Sequence, residues 1–132
     1  MLLTIICLLT MVSCKHRYPV SLLKADSLIY TNPQLALRQL DSVSENIDTA
    51  NSIDVMFLRL LKMMAKNKIC MSAGNLNDIQ ELVDYFESHD DARGLSLAYY
   101  LLGRKMGDLH EISQSLTYYH KALEVLETDK NI

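Results

Sequence analysis

Apolar residues recur at helical spacing through almost the whole chain, and this period limits what it can fold into more than any other feature. Ile79, Leu82, Val83 and Phe86, at i, i+3, i+4 and i+7, put four side chains on one face of a helix. Valine, isoleucine and threonine nowhere alternate with polar residues for long, as a half-buried strand would require. Two prolines and four glycines in 132 residues leave few breakers. The fold class read from this pattern is all-α.

Six helices are predicted, in three antiparallel pairs. The first carries Leu22, Ala25 and Ile29 on one face. Asn32 and Pro33 start the second, because Asn caps free amides and Pro suits the first turn; Ala36, Leu40 and Val43 follow at helical spacing. A third, from about Ile53, turns Phe57, Leu60, Leu61 and Met64 inward and ends near Cys70, whose expected role is that of a small buried hydrophobe. The fourth begins around Asn77. The fifth, from about Ala92 to Met106, is apolar over nearly its whole girth and so is expected to pack on two sides. Asp108, with Glu111 three residues on, has the spacing of a capping box for the sixth helix, whose expected inward stripe is Ile112, Leu116, Tyr119, Leu123 and Leu126.

Helices of this length with short polar connections form either a bundle or a stacked array, and internal repeats decide between the two. An offset of 33 residues sets Ile79 on Ile112, Leu82 on Ser115, Tyr85 on Tyr118 and Phe86 on Tyr119. Residues 96–127, SLAYYLLGRKMGDLHEISQSLTYYHKALEVLE, then resemble one tetratricopeptide repeat, through Tyr99, Leu102, Gly103, Met106, Ser115, Tyr119 and Ala122; Glu127 stands where that family usually has Pro. The resemblance implies a short solenoid of about three helix pairs over residues 20–132, in which Gly103 and Ser115 let the last two helices approach and Tyr119 fills the gap. It also implies that the first helix of each pair lines a ligand-binding side, where Leu97, Tyr100, Arg104 and Asp108 are the matched positions in the last repeat. Tyr100 and Arg104, one turn apart, suit a peptide carboxylate.

The N-terminus speaks to location. Residues 1–13 are uncharged and mostly apolar. As a helix rising about 1.5 Å per residue they would reach only ~20 Å, short of the ~30 Å hydrocarbon core, so they read as a secretory signal and not a span. Met11, Val12, Ser13 and Cys14 resemble the lipobox of bacterial lipoproteins, with cleavage between Ser13 and Cys14 and acyl chains on Cys14. The expected division is a signal peptide at 1–13, a lipidated tether at 14–19 and the helical domain at 20–132. With Cys7 removed and Cys14 acylated, Cys70 has no partner for an internal disulfide. Lipobox and degenerate repeats together resemble tetratricopeptide lipoproteins of Bacteroides-type bacteria, which implies a membrane-anchored protein of the cell envelope.

The basic residues are scattered and the net charge is -3, which gives no basic stripe for nucleic acid. His89, His110 and His120 have no metal-site spacing, and no nucleophile stands with a base, so neither a metal, a cofactor nor an enzyme is expected. Met56, Met63, Met64 and Met71 are expected in the core, and Asp78, Glu81, Asp90 and Asp91 as solvated groups at helix ends. A non-enzymatic module binding a protein or peptide, with self-association through the sixth helix, is the expected function. The alternative is the N-terminal sensory part of a longer signalling or transcriptional regulatory protein. Because several acyl chains give stable membrane anchoring and none gives none, Cys14→Ser should move the protein from the membrane to the soluble fraction. Fractionation like the parent would contradict the lipobox.

Overall fold

The computed structural model describes residues 16–69 and 74–130. The signal segment, the lipobox with Ser13 and Cys14, and Cys70 and Met71 lie outside those residues. Six helices follow one another: α1 (Val20–Leu28), α2 (Pro33–Asn46), α3 (Ser52–Lys68), α4 (Leu76–Ser88), α5 (Ala92–Asp108) and α6 (Ile112–Lys130). No strand occurs among the described residues, so the protein is all-α.

The starts follow from local chemistry. Asn32, Asn51 and Asn75 each accept a hydrogen bond from the backbone N–H three residues on, that of Leu35, Asp54 and Asp78. Each satisfies one of the amide groups that a helix leaves free at its start. The turns into α5 and α6 are built alike. Asp90 and His110 take left-handed backbone angles, with φ of 53° and 62°. The next residue, Asp91 or Glu111, donates its N–H five residues back, to Phe86 O at 3.3 Å or Met106 O at 2.9 Å. This is the hydrogen-bonding pattern that closes a helix C-terminus through one left-handed residue. It also corrects one expectation: Asp108 ends α5 and does not cap α6, because the turn takes up Leu109, His110 and Glu111 before α6 begins.

Neighbours in sequence pack together, and α1, α3 and α5 also touch in succession, whereas α2, α4 and α6 do not touch one another. The core runs between these layers through Leu22, Ile29, Leu40, Phe57, Leu61 and Phe86. An aromatic column crosses it: Tyr18 stacks on Phe57 at 3.8 Å between centroids, and Phe57 meets Phe86 edge to face at 6.5 Å. Phe86 abuts α5 at Gly94, where a Cβ would fall inside the Phe86 ring's van der Waals surface. On the other flank of α5, a Cβ at Gly103 would lie 2.7 Å from ring atoms of Tyr119 and 3.2 Å from Ser115 O. The 33-residue offset thus pairs two aromatics that both rest on glycines of α5.

Close approach at Gly103 decides which side of α6 faces inward. Ser115 is buried and Tyr118, Tyr119, Ala122, Val125 and Leu126 are half-buried. Ile112, Leu116 and Leu123 stand 60%, 56% and 58% exposed. The stripe expected against α5 is therefore divided: Tyr119 and Leu126 stay partly inside, and the other three point outward. Small residues win the contact because they let the backbones meet.

Phe86→Ala should lower unfolding free energy by about 3–5 kcal/mol, as for other fully buried aromatics. Alanine is normally the better helix former by about 1 kcal/mol, yet Gly94→Ala should destabilise by about 1–3 kcal/mol through overpacking on Phe86. Chemical denaturation measures both; a stabilising Gly94→Ala would contradict the close contact.

Candidate functional site

The side lined by α1, α3 and α5 carries an aromatic and cationic patch. Tyr30, just after α1, is 55% exposed. Lys68, at the end of α3, holds its Nζ 5.3 Å from the centre of the Tyr30 ring and 5.7 Å from that of Tyr100 on α5. A cation between two ring faces is attracted to both and loses freedom to swing away. Tyr100 in turn lies against Tyr119 of α6, with centroids 5.7 Å apart. One turn along α5, Arg104 projects to solvent, its nearest carboxylate being Asp108 at 3.9 Å, with both side chains about half exposed. A pair so open and so long contributes little. Lys68 has no ion-pair partner among the described residues, so the patch presents two cations beside one exposed and one half-buried ring, and one loosely engaged acid.

Of the four positions matched to a ligand-facing role, Tyr100, Arg104 and Asp108 stand on this side of α5. Leu97, one turn earlier on the same face, is 6% exposed and belongs to the core cluster, so a ligand would not reach it. Tyr30 and Lys68 were not among the residues expected there. No local pattern marks them, because the nearest of them to Tyr100 is 32 residues away in the chain.

The residues expected to pack α5 on α6 meet around Gly103. Ser115 Oγ donates to Gly103 O at 2.8 Å, a bond buried between the two helices. Leu102 and Met106 are buried and Ala122 half-buried. Tyr99 stacks near Tyr118, with centroids 6.2 Å apart, and Lys121 lies over both rings at 5.6 and 5.4 Å. Burial, and then the Glu87 carboxylate beside it, raise the Tyr99 hydroxyl above its ordinary value.

A second group of polar contacts fastens the chain's start to its later helices. His16 Nε2 lies 2.7 Å from buried Asp54, and the Tyr18 hydroxyl donates to Asp91. Asp26 on α1 is 7% exposed and accepts a bidentate interaction from Arg93 of α5, at 2.8 and 3.2 Å. Asp91 is thus a partner for Tyr18 and not simply a solvated end group. Burial raises its carboxyl, against the lowering pull of the Gly94 and Arg93 backbone N–H groups and of His16.

A shallow depression of about 410 Å³ beside α3 is lined by Val55, Leu58, Arg59, Lys62, Met63, Lys66, Gly74 and Asp78. Its charges are largely matched: Arg59 pairs with Asp78 and Glu81 at 3.0 Å each, and Lys62 with Asp41 at 3.1 Å. Asp78 and Glu81 are therefore ion-pair partners and more than solvated ends. Met63 edges this depression, Met64 is in the core and Met56 packs on it. No group of three His, Cys, Asp or Glu side chains able to hold a metal ion occurs among the described residues, and no helix there is long and apolar enough to cross a membrane. No protein-family model, curated protein or solved structure matches the chain.

A carboxyl raised in the folded state makes a contribution to stability that is complete below its unfolded value, near pH 4, and lost as pH rises through the folded value. Asp91→Asn should therefore gain stability relative to the parent as pH rises from about 4. Paired unfolding curves across that range measure the difference; a flat or opposite trend would contradict the burial of Asp91.

Proposed function

We propose that the chain is a membrane-tethered tetratricopeptide-type lipoprotein of the bacterial envelope, a non-enzymatic module that binds a peptide or protein on the side lined by α1, α3 and α5. The order of helix contacts supports the stacked-pair reading, since the first helices of the three pairs touch in series and the second helices do not touch one another. The lipid at Cys14 is proposed from the MVSC pattern. Two and four residues further on, His16 and Tyr18 seat the chain on the helical domain, which would hold it close to the membrane surface.

The observation that carries the binding proposal is the Tyr30, Lys68, Tyr100 and Arg104 patch. The exposed Tyr30 ring and the open part of the half-buried Tyr100 ring offer flat apolar area, and the two cations offer charge for an acidic or C-terminal carboxylate, which a planar guanidinium can hold through two parallel hydrogen bonds. The core does not require Arg104, so its replacement separates binding from folding.

Synthetic peptide arrays ending in a free carboxylate, set against the same peptides amidated, test this. Arg104→Ala and Lys68→Ala should each weaken capture of free-carboxylate peptides about tenfold, equivalent to about 1.4 kcal/mol. Arg104→Ala should shift stability by less than about 0.5 kcal/mol. Equal capture of amidated peptides, or capture indifferent to both variants, would overturn the carboxylate reading.

A further inference from the structure

Both α6 and α1, which do not touch each other, carry exposed apolar side chains. On α6, Ile112, Leu116 and Leu123 are four and seven residues apart and form one outward stripe, each more than half exposed. On α1, Val20 and Leu23 are 66% and 47% exposed, while Leu22, Ala25 and Ile29 on the other side are at most 1% exposed. A helix with apolar residues on two sides is suited to packing on both. Among the described residues, α1 is covered on one only.

The chain's own interior indicates what covers such faces. At the 33-residue offset, Ile112 and Leu116 correspond to Ile79 and Val83 of α4, which are 1% and 3% exposed. α5, the first helix of the next pair, packs against α4, and α3 packs against α2 in the same way. Each second helix is thus met by the first helix of the following pair. Among the described residues, α6 is a second helix with no such successor, and α1 is a first helix with no predecessor.

We propose that the outer face of α6 receives α1 of a second copy of this chain, so that copies join head to tail. The inference rests on the stacked-pair reading for the equivalence of α6 with α4. Charge agrees with it. Lys24 adjoins the α1 stripe, and Glu124 and Glu127 border that of α6; none of the three is in an ion pair among the described residues. Two α6 faces set against each other would bring no Lys24 to these glutamates, and Lys121 of α6 is held over the Tyr99 and Tyr118 rings. A head-to-tail contact joins unlike surfaces, so every joined row keeps one free α1 and one free α6 and growth does not stop at two. Lipid tethers at Cys14 would hold copies in one plane and raise their effective concentration.

Crosslinking of the full chain in membranes tests the geometry. In a Cys70→Ser background, Leu23→Cys and Leu116→Cys are introduced together and treated with a short bismaleimide, with the background chain as blank. The expected result is a ladder of dimer, trimer and larger species for the double variant. Neither single variant should crosslink by itself, and the two single variants coexpressed should give dimer and nothing larger. Adding Leu123→Glu, an exposed position, should remove most of the ladder without changing the melting temperature. A dimer from Leu116→Cys alone would show α6 meeting α6 and overturn the proposal, as would the absence of any ladder. Peptide capture sensitive to Arg104→Ala together with no ladder would overturn the head-to-tail contact and leave the binding reading standing.

Discussion

The close seating of two aromatic rings on two glycines of α5 is the constraint from which the rest of the arrangement follows. Phe86 occupies the space over Gly94 and Tyr119 the space over Gly103, so α4 and α6 approach α5 on separate flanks at distances a Cβ would forbid. With its flanks occupied in this way, α5 also meets α3, and its buried residues extend over much of its circumference. This explains why a helix of 17 residues can be so apolar without exposing a large greasy face. The same geometry buries the Ser115 hydroxyl next to Gly103 O, where each satisfies the other. A polar group taken from water without such a partner would cost about 1–3 kcal/mol.

Polar contacts tie α1 and the residues before it to the start of α5. Arg93 reaches Asp26 across 67 residues of sequence, and Tyr18 reaches Asp91 across 73. Every buried side-chain nitrogen or oxygen among the described residues has a hydrogen-bond partner. The links that span most sequence join α1 and the residues before it to the starts of α3 and α5, whereas Lys68 and Tyr100 lie further along α3 and α5. In the proposed lipoprotein, one end would therefore be held firm near the tether while the other stays open to a ligand. The difference comes from burial: Asp26 and Asp54 are nearly enclosed, and the Arg104–Asp108 pair is wet.

Much of the local structure was legible because it depends on residues three or four apart. Asn32 with Pro33 marks a helix start whatever surrounds it, and Ile79, Leu82, Val83 and Phe86 mark a buried face. Leu97 and the α6 stripe misled for a shared reason. Periodicity tells which residues share a face but not what stands opposite. Leu97 shares the face of Tyr100 and Arg104, yet its apolar side chain is drawn into the core. Tyr30 and Lys68 had no local signature at all, because their role depends on three helices lying side by side.

By itself, the sequence determined that the chain is helical and roughly where its helices begin, because turn chemistry and period act over short stretches of chain; that Gly103, Ser115 and Tyr119 belong to one contact was implied only by the repeat resemblance. Only the tertiary structure decided which face of α6 turns inward. Hydrophobicity favours Ile112, Leu116 and Leu123 for that place, but backbones as close as those at Gly103 admit Ser115 and Ala122 flanked by tyrosine rings, and leave the larger aliphatic side chains outside. Tertiary structure likewise decided that Lys68 stands between Tyr30 and Tyr100, since that position is set by the packing of α1, α3 and α5 together and by no residue pattern within any one of them.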